Sequence, residues 1–450
     1  MDNTKENKMG TMPVGKLLIT MSLPMIISML VQALYNVVDS IFVSWISENA
    51  LTAVSLAFPF QNLMIALATG TGVGVNAILS RSLGEKNFER ADRTACTGIF
   101  LSCASYIVIA VLGLAFSRKF FEIQTDIKEI IDMGQSYLSI CSVLSFGIFL
   151  EIMFERLLQS TGKTIYTMFS QGIGAVINII FDPILIFGYF GFPKMGIAGA
   201  AAATVFGQII SMFVAFWFNI KKNREIHIKP EFFKHNGALI KDIYAISVPS
   251  ILMMSIGSVM TFCLNKILIA FTATATAVFG VYFKLQSFIF MPIFGMNNGM
   301  IPIIAYNYGA KSRQRVISTI KLGMILAESF MLVGVVLFQF CPRILLEMFN
   351  ATPTMLKIGV AALRIISIHF LMAGISIICS AAFQALGNGV MSLISSLIRQ
   401  IFVLIPAAYF LSLTGNVNNV WWSFPVAELF AVALSVYMLK RLIADRFEKQ

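Results

Sequence analysis

The sequence predicts an all-α polytopic membrane protein with twelve transmembrane helices in two pseudo-symmetric six-helix lobes around a central cavity. Hydrophobic residues make up 58% of the 450 residues and charged residues only 12%, against about 45–50% and about 25% in soluble domains. A water-soluble fold of this size cannot hide so much apolar surface, and a disordered chain would not contain it. The apolar runs are long and unbroken, which excludes a membrane β-barrel because barrel strands alternate in polarity.

Twelve apolar segments follow one another along the chain. Each is long enough for the roughly 20 residues that a helix needs to cross a bilayer. Backbone groups in lipid must be paired internally, so each segment is predicted to be a helix. In order, the segments are 17–44, 50–78, 94–116, 133–158, 164–189, 196–219, 239–270, 276–305, 316–340, 358–383, 389–412 and 418–440.

The charged residues between these segments and near their ends predict the orientation in the membrane. The two chain ends, the connections on their side and the helix ends that adjoin them carry 23 Lys and Arg residues, whereas the connections on the other side carry 6. Cytoplasmic loops hold the excess of Lys and Arg in membrane proteins. We therefore predict a multi-pass protein of the cytoplasmic (inner) cell membrane with both termini in the cytoplasm. This bias also accounts for the net charge of +11 without a nucleic-acid partner.

The chain repeats itself with a shift of half its length. The matching pairs are Pro24 and Pro249, Gln61 and Gln286, Gly70 and Gly295, Gly74 and Gly299, Gly84 and Gly309, Lys86 and Lys311, Arg90 and Arg315, Gln159 and Gln384, and Gly162 and Gly387. One register kept from end to end indicates a duplication. Six helices per half make both halves enter from the same side, the arrangement of two transporter lobes that face one cavity.

The duplication also predicts how the chain is divided. We expect an N-terminal lobe over 1–219, a cytoplasmic linker over 220–242 and a C-terminal lobe over 243–450. The linker is the longest polar connection. We expect it to leave the lobes free to rock against each other and to keep its two histidines, His227 and His235, in solvent.

Helix one carries a polar stripe inside the membrane. Gln32, Tyr35, Asn36 and Asp39 are spaced at i, i+3, i+4 and i+7, so they share one face of an apolar helix. An ionisable residue inside a membrane span is costly and is a functional candidate by default. The stripe predicts that Asp39 has a functional role and that Gln32, Tyr35 and Asn36 line a substrate cavity.

A second intramembrane carboxylate lies at a similar depth. Asp182 is late in helix five, one turn after Asn178, and Thr204 is near the outer start of helix six. Helices one and five run outward and helix six runs inward. With a rise of about 1.5 Å per residue, these groups and Asp39 all lie in the outer half of the membrane, at nearly the same depth. They predict a site that binds Na⁺ or a site whose two carboxylates share a proton. The alternative is that the aspartates only hold helices together.

The second half does not copy this site. The repeat places Val403 and Ala407 where the first half has Asn178 and Asp182, and it places Leu264 and Asn265 near the position of Asp39. Ion coupling is therefore predicted in the N-terminal lobe alone.

Glu151 and Glu155 lie one turn apart in helix four, and Arg156 follows them. They form either an interfacial ion pair with a snorkelling arginine or an acidic wall that attracts cationic substrates. Gln286, the repeat partner of Gln61, is a further candidate for the cavity. His369 in helix ten is expected to be a hydrogen-bonded core residue.

The sequence lacks the motifs that several classes of enzyme and ATP-driven transporter require. The sequence has no phosphate-binding Walker loop, no nucleophile elbow, no HExxH motif and no zinc-ligand spacing. The six cysteines form no CxxC pair and are interpreted as small membrane-buried residues. We expect no catalytic residues, no enzyme activity, no transport driven by ATP on this chain, and no cofactor other than H⁺ or Na⁺ as the coupling ion. Na⁺, if used, would bind at Asp39, Asn178 and Asp182.

Several stretches resemble one transporter family over essentially the full length. They are LYNVVDSIFVSW in helix one, the loop SLGEKNFERAD with its repeat NYGAKSRQRV, LQSTGKT before helix five, INIIFDPILIF within helix five, and GIAGAAAATV at the start of helix six. Together they are similar to the multidrug and toxic compound extrusion (MATE) family of bacterial multidrug efflux transporters.

This resemblance implies a twelve-helix antiporter that exports organic cations and amphipathic drugs in exchange for Na⁺ or H⁺. In many relatives an N-lobe site is built from an Asp, an Asn, an Asp and a Thr, which match Asp39, Asn178, Asp182 and Thr204 here. Other relatives use acidic residues in helices seven and ten of the C-lobe. Helix seven of this chain offers only Asn265 and Lys266, and helix ten only Arg364 and His369.

Three alternatives remain. A flippase for lipids or lipid-linked oligosaccharides of the same superfamily would carry a more cationic cavity. A major-facilitator transporter also has two six-helix halves, but its loop after helix two reads differently from SRSLGEKNFER. A membrane-embedded enzyme could use Glu151 and Glu155 as acid and base, but no nucleophile or metal set accompanies them. We expect small organic cations and amphipathic drugs as ligands, the lipid bilayer as surroundings, and a monomer.

Overall fold

The computed structural model describes residues 7–233, 236–349 and 351–448, and the regular structure within these ranges is helical. Nine of the described helices are long and apolar enough to cross a membrane, and two pairs of shorter helices each make one further span across a bend. A twelfth long helix packs beside them, against helices of the second half. The predicted polytopic all-α class is confirmed.

The spanning helices, numbered here helix 1 to helix 12, extend most of the predicted segments by a few residues. Their bounds are Val14–Ser44, Glu48–Gly84, Phe88–Glu122, Lys128–Val143 with Phe146–Ser160, Thr164–Phe187, Ile197–Lys222, Gly237–Ile269, Ala273–Gly309, Arg313–Phe340, Pro353–Ser367 with Phe370–Ala385, Gly389–Ser412 and Ser423–Glu448. The extensions reach polar caps such as Ser47 and Asn87, whose side chains accept the first free amides of helices 2 and 3. Shorter pieces are Lys8–Thr11, Tyr189–Gly191, Pro230–Phe233, Pro342–Glu347 and Val417–Val420.

Helices 4 and 10 are bent by 44° and 51°, which the apolar pattern does not predict. In helix 4, Ser145 Oγ donates to the carbonyl oxygen of Ser142 at 2.7 Å. In helix 10, Nδ1 of the buried His369 lies 2.6 Å from the carbonyl oxygen of Ile366. Side chains that bond a carbonyl one turn back compete with the helical ladder and bend the helix. His369 is thus a hydrogen-bonded core residue, as predicted.

The two lobes meet through glycines that obey the predicted repeat. Gly70 of helix 2 lies against Ile251 of helix 7, and Gly295 of helix 8 lies against Ile26 of helix 1, where a Cβ would meet the Ile26 Cα at 2.7 Å. Gly70 and Gly295 are repeat partners, and so are Ile26 and Ile251. The contacts are therefore one contact repeated by the pseudo-two-fold axis, and glycine is needed because the backbones approach so closely.

A second pair of contacts between the lobes lies nearer the membrane face at which the chain begins and ends. A Cβ on Gly84 would collide with the carbonyl oxygen of Tyr306, and a Cβ on Gly309 would collide with the carbonyl oxygen of Arg81. These four residues are again related by the repeat. Helices 2 and 8 both end here, at the membrane face that carries the two chain ends. The lobes are therefore closed against each other at this face.

The connection between the lobes is less free than predicted. Asn223 Nδ2 donates to the carbonyl oxygen of Leu157 at 3.4 Å, and the backbone amide of His227 donates to Asp92 Oδ1 at 2.6 Å. The expectation that the whole of 220–242 is slack is therefore wrong for its first part, because polar groups anchor that part to the first lobe. The His227 ring is exposed but lies 3.4 Å from Asp92 Oδ2, and His235 lies outside the described residues.

The segment before helix 1 bridges the lobes at the closed face. On one side, Asn7 Nδ2 donates to Glu225 Oε2 at 2.6 Å. Glu225 is also 3.5 Å from Lys163 Nζ, and burial raises the pKa of the Glu225 carboxyl above its ordinary value. On the other side, Arg315 Nη2 donates to the carbonyl oxygens of Met9 and Met12 at 2.9 and 2.7 Å. The segment thus ties the first lobe to helix 9.

Replacing Arg315 with alanine is expected to release this segment. The change removes charge-assisted hydrogen bonds, each typically worth about 1.5–3 kcal/mol, so amide exchange over residues 7–12 should become at least about tenfold faster. Hydrogen exchange followed by mass spectrometry measures this. Arg313→Ala is the matched control because Arg313 is an exposed arginine in the same turn. Equal exchange in the two variants would contradict the bridging role.

Candidate functional site

A cavity of about 580 Å³ lies between the two lobes. Helices 1, 2, 4, 5 and 6 line it from the first lobe, and helices 7, 8, 10 and 11 line it from the second. Its wall includes Met25, Met29, Met253 and Met254, flexible apolar side chains that can repack around ligands of different shape. Because the lobes are in contact at the face of the chain ends, the cavity is closed on that side.

Close packing of helices 5 and 6 brings polar side chains together beside this cavity. A Cβ on Gly207 would meet the carbonyl oxygen of Gly174 at 2.7 Å, so the two helix backbones almost touch. Asn178 Nδ2 then lies within donating distance of both Thr204 Oγ1, at 3.3 Å, and Asp182 Oδ1, at 3.4 Å. The structure therefore brings together three of the residues that share a predicted depth.

Asp39 of helix 1 joins the same cluster. Its carboxyl lies within hydrogen-bonding reach of the Asp182 carboxyl, and Asp182 is fully buried. Within the described part of the chain, Asp39 Oδ1, Asp182 Oδ2 and Asn178 Oδ1 are buried and receive no hydrogen bond. Carboxyl groups in contact are arranged to share a proton, and oxygens without donors are the ligands that hard cations take.

The cluster communicates with the cavity through two of its members. Asn178 and Thr204 line the cavity, whereas Asp39 and Asp182 lie behind its wall. An ion bound between the two aspartates is therefore adjacent to a substrate in the cavity without occupying the same volume.

Glu151 and Glu155 also line the cavity. Glu155 accepts hydrogen bonds from Ser170 Oγ at 3.1 Å and from Gln171 Nε2 at 2.7 Å. Arg156 turns away from them and donates to Asn298 of the second lobe at 2.9 Å. The interfacial ion pair considered from the sequence is thus wrong, because the arginine is buried and bonded across the lobes. Both carboxyls line the cavity beside this arginine, and the attraction of cationic substrates by them stays a prediction.

The remaining residues predicted to line the cavity differ in whether they face it. Gln32 and Tyr35 line the cavity as predicted. Asn36 is exposed, and Gln286 is half-buried; neither contributes to the described wall. Asn36 is the next residue after Tyr35, and one residue turns a helix by about 100°, which is enough to direct it out of the cavity.

Sequence reasoning missed several polar groups of the wall. Asn297, Asn298 and Gln400 line the cavity, and amides in apolar helices carry little signal of which face they occupy. Arg156, which the sequence suggested as an interfacial arginine, lines the cavity as well. Arg399 lies within helix 11, and the sequence does not show its partner. It pairs with Glu428 of helix 12, with 3.6 Å between Nη1 and Oε2.

Known proteins resemble this chain along its full length. It is similar to the multidrug export protein MepA of Staphylococcus haemolyticus, with 26% identity over 439 residues that cover 96% of each chain. MepA of Staphylococcus aureus is 24% identical over 441 residues, covering 97% of this chain and 96% of the relative. Among solved structures, an outward-facing multidrug resistance MATE family transporter of the MOP superfamily matches with a TM-score of 0.92 and 25% identity over 100% of both chains. A MOP superfamily transporter from Pyrococcus furiosus matches with a TM-score of 0.92 and 25% identity over 99% of both chains.

The family comparison matches the chain twice, once in each half. The MatE family model covers residues 24–184 and again residues 249–410. The two matches begin at Pro24 and Pro249, which are partners in the repeat found in the sequence. The matched residues make up more than half of the chain. The chain therefore belongs to the MatE family, the multidrug and toxic compound extrusion transporters that its motifs resemble.

Proposed function

We propose that this protein is a secondary antiporter that exports cationic and amphipathic organic compounds across the cell membrane in exchange for H⁺ or Na⁺. The observation that carries the proposal is the buried cluster of Asp39, Asn178, Asp182 and Thr204 beside a large, mostly apolar cavity. Two intramembrane carboxyls in contact are too costly to keep for packing alone. The MepA relatives, whose names describe multidrug export, support the same conclusion.

The orientation of the molecule supports export. The excess of Lys and Arg on the side of the chain ends favours a cytoplasmic location for that side. The glycine contacts at Gly84 and Gly309 close that side, so the cavity then faces the outside, the state from which substrate is released. In this proposal the opposite state, open to the cytoplasm, requires these contacts to separate.

Exchange follows if the ion and the substrate favour different states or compete. A ligand shifts a two-state equilibrium only by its difference in affinity for the two states. Binding of H⁺ or Na⁺ between Asp39 and Asp182 removes the repulsion between two carboxylates and changes how helices 1 and 5 pack. Both helices contain a proline, Pro24 and Pro183, and the missing backbone hydrogen bond lets each bend.

Transport in vesicles tests the proposal. Purified protein is reconstituted, a fluorescent organic cation is added, and a Na⁺ gradient and a pH gradient are imposed separately. We expect dye movement driven by at least one of the gradients and none without a gradient. If the dye does not move under either gradient while a fluorescent lipid-linked oligosaccharide changes leaflet, the protein is a flippase and the antiporter proposal is wrong.

Neutralising Glu151 and Glu155 is expected to reduce the preference of the cavity for cationic ligands. The double change Glu151→Gln and Glu155→Gln keeps the shape of both side chains but removes the charges that attract a cation. Binding of a cationic dye should weaken by about tenfold or more, whereas binding of a neutral amphipath of similar size should change by less than about twofold. Fluorescence titration of both compounds measures this, and an equal loss for both would show a structural role instead.

A further inference from the structure

An open groove of about 550 Å³ lies beside the connection between helices 9 and 10. This connection is at the membrane face opposite the two chain ends. The groove is lined by three exposed cations and four apolar residues, which are Arg343, Lys357 and Arg364 and Pro353, Leu356, Val360 and Ala361. Among the described residues it shares no lining residue with the cavity between the lobes, so it is a separate site.

The internal repeat provides a comparison for this groove. A shift of half the chain relates Arg343 and Glu347 to Arg118 and Glu122 of the first lobe. Both pairs form the same ion pair, with 2.8 Å between Nε and Oε1. The two lobes therefore build the same corner. The packing of the adjacent helix is repeated as well, because a glycine lies against one large apolar side chain in each lobe: Gly134 against Phe121, and their partners Gly359 against Leu346.

The charges around this corner differ between the two lobes. In the first lobe a further carboxylate neutralises the arginine, because Arg118 Nη1 lies 3.3 Å from Asp132 Oδ1. The repeat partner of Asp132 is Lys357, and the repeat partner of Ser139 is Arg364. The second lobe thus has two cations where the first has a carboxylate and a hydroxyl. Since the first lobe folds this corner without them, the packing of the helices does not require these cations.

The cations of the groove keep most of their hydrogen-bonding capacity within the described part of the chain. Arg364 Nε donates to the carbonyl oxygen of Gln339 at 3.2 Å, which holds the guanidinium beside helix 9 and leaves four of its five N–H donors unbonded. Lys357 has no ion-pair partner among the described residues, and Arg343 pairs with one carboxylate, Glu347. The groove therefore has an excess of positive charge that an anionic ligand can balance.

The depth of Arg364 indicates that this anion belongs to a lipid. The apolar segment that predicts helix 10 begins at residue 358, so Arg364 lies within the span, roughly 9 Å from its end. An exposed cation at this depth is costly in lipid, but its long side chain reaches the interface, where a lipid phosphate supplies the opposite charge. Leu356 and Val360 lie between the cations and suit an acyl chain rather than a hydrated anion.

We propose that this groove binds an anionic phospholipid of the leaflet opposite the chain ends. The phosphate is held by Arg343, Lys357 and Arg364, and an acyl chain lies along Leu356 and Val360. Arginine binds phosphate oxygens through parallel hydrogen bonds, and lysine adds a compact charge. A zwitterionic phospholipid is disfavoured because its ammonium group would lie among three cations. The site is independent of the export proposed above.

Native mass spectrometry of the full-length protein in detergent tests this proposal. Phosphatidylglycerol and phosphatidylcholine with the same acyl chains are titrated separately, and the dissociation constant of the first bound lipid is measured for each. The double variant Lys357→Asp with Arg364→Ser gives the groove the residues of the first lobe. It should bind phosphatidylglycerol at least about tenfold more weakly, because each Lys or Arg near an anionic lipid contributes roughly fivefold. Its affinity for phosphatidylcholine should change by less than about twofold.

Lys119→Asp is the matched control for the single variant Lys357→Asp. Lys119 is an exposed lysine at the same membrane face, in the first lobe, and it does not line the groove. Both changes alter the net charge equally, but only Lys357→Asp should weaken binding of phosphatidylglycerol, by about fivefold or more. An equal loss in the two variants would show a general effect of charge and contradict the site.

Two further measurements complete the test. The double variant Lys357→Gln with Arg364→Gln removes both charges without adding a carboxylate, and it should show the same selective loss even if the first double variant does not fold. Unchanged phosphatidylglycerol binding in this variant would overturn the proposal. Inorganic phosphate at the concentration of the lipid should leave phosphatidylglycerol bound, and displacement would show a site for soluble anions instead. Dye transport in vesicles is measured separately, so a failure of export and a failure of the lipid site are distinguishable.

Discussion

Replacing Asp39 or Asp182 with asparagine is expected to abolish drug export while the protein still reaches the membrane. Each change keeps the size of the side chain but removes a group that can bind H⁺ or Na⁺. The two carboxyls lie within hydrogen-bonding reach of each other, so losing either one dismantles the shared site. Export should fall to that of cells without the protein, measured as dye efflux at matched protein abundance.

Asn36 supplies the matched control for this experiment. It belongs to the same polar stripe of helix 1, but it is exposed and does not line the cavity. Asn36→Ala should leave export within about twofold of the wild type, as expected for a surface substitution. Normal efflux in both aspartate variants would contradict the assignment of Asp39 and Asp182 as the coupling site.

Adding one methyl group at Gly309 is expected to block transport by holding the lobes apart. A Cβ there would collide with the carbonyl oxygen of Arg81 in the opposite lobe, and backbone cannot move aside as a flexible side chain can. Overpacking of this kind typically costs about 1–3 kcal/mol. A cost on one state alone shifts the equilibrium between the two states by roughly fivefold to more than a hundredfold. The Gly309→Ala variant should favour separation at the face of the chain ends.

Spin labels on helices 2 and 8 measure the distance between the lobes at this face, and dye efflux measures the consequence. Gly280→Ala is the control, because Gly280 lies in the same helix 8 with open space where a Cβ would be added. Gly84→Ala, the repeat equivalent, should behave like Gly309→Ala. A short distance between lobes and full efflux in Gly309→Ala would contradict the closed interface described here.

The sequence predicted the helices well because lipid imposes a simple rule on composition. Each span needs a long apolar run, and the internal repeat links the two halves. The bends at Ser145 and His369 escaped prediction because they depend on side chains that bond a carbonyl one turn back. The anchoring of Asn223 and His227 escaped prediction because their partners, Leu157 and Asp92, are distant in sequence.

The candidate site was also predictable from the sequence only in part. Depth along each helix was enough to place Asn178, Asp182 and Thr204 together, because membrane helices run roughly parallel and register along them is preserved. The sequence did not show which residues of different helices contact each other. Periodicity gives the face that a residue occupies but not the neighbour it meets, so the contact of Arg399 with Glu428 and the outward position of Asn36 needed the structure.

The central claim is that an ion at the Asp39 and Asp182 pair controls the affinity of the neighbouring cavity for substrate. The most direct measurement is a binding titration of a fluorescent organic cation to the purified protein at two pH values, each with and without Na⁺. We expect acidification or Na⁺ to weaken binding by about fivefold or more, the usual range of coupling between sites. Asp39→Asn should remove that dependence. If neither ion changes the affinity of the wild-type protein, the claim is wrong even if the protein exports drugs.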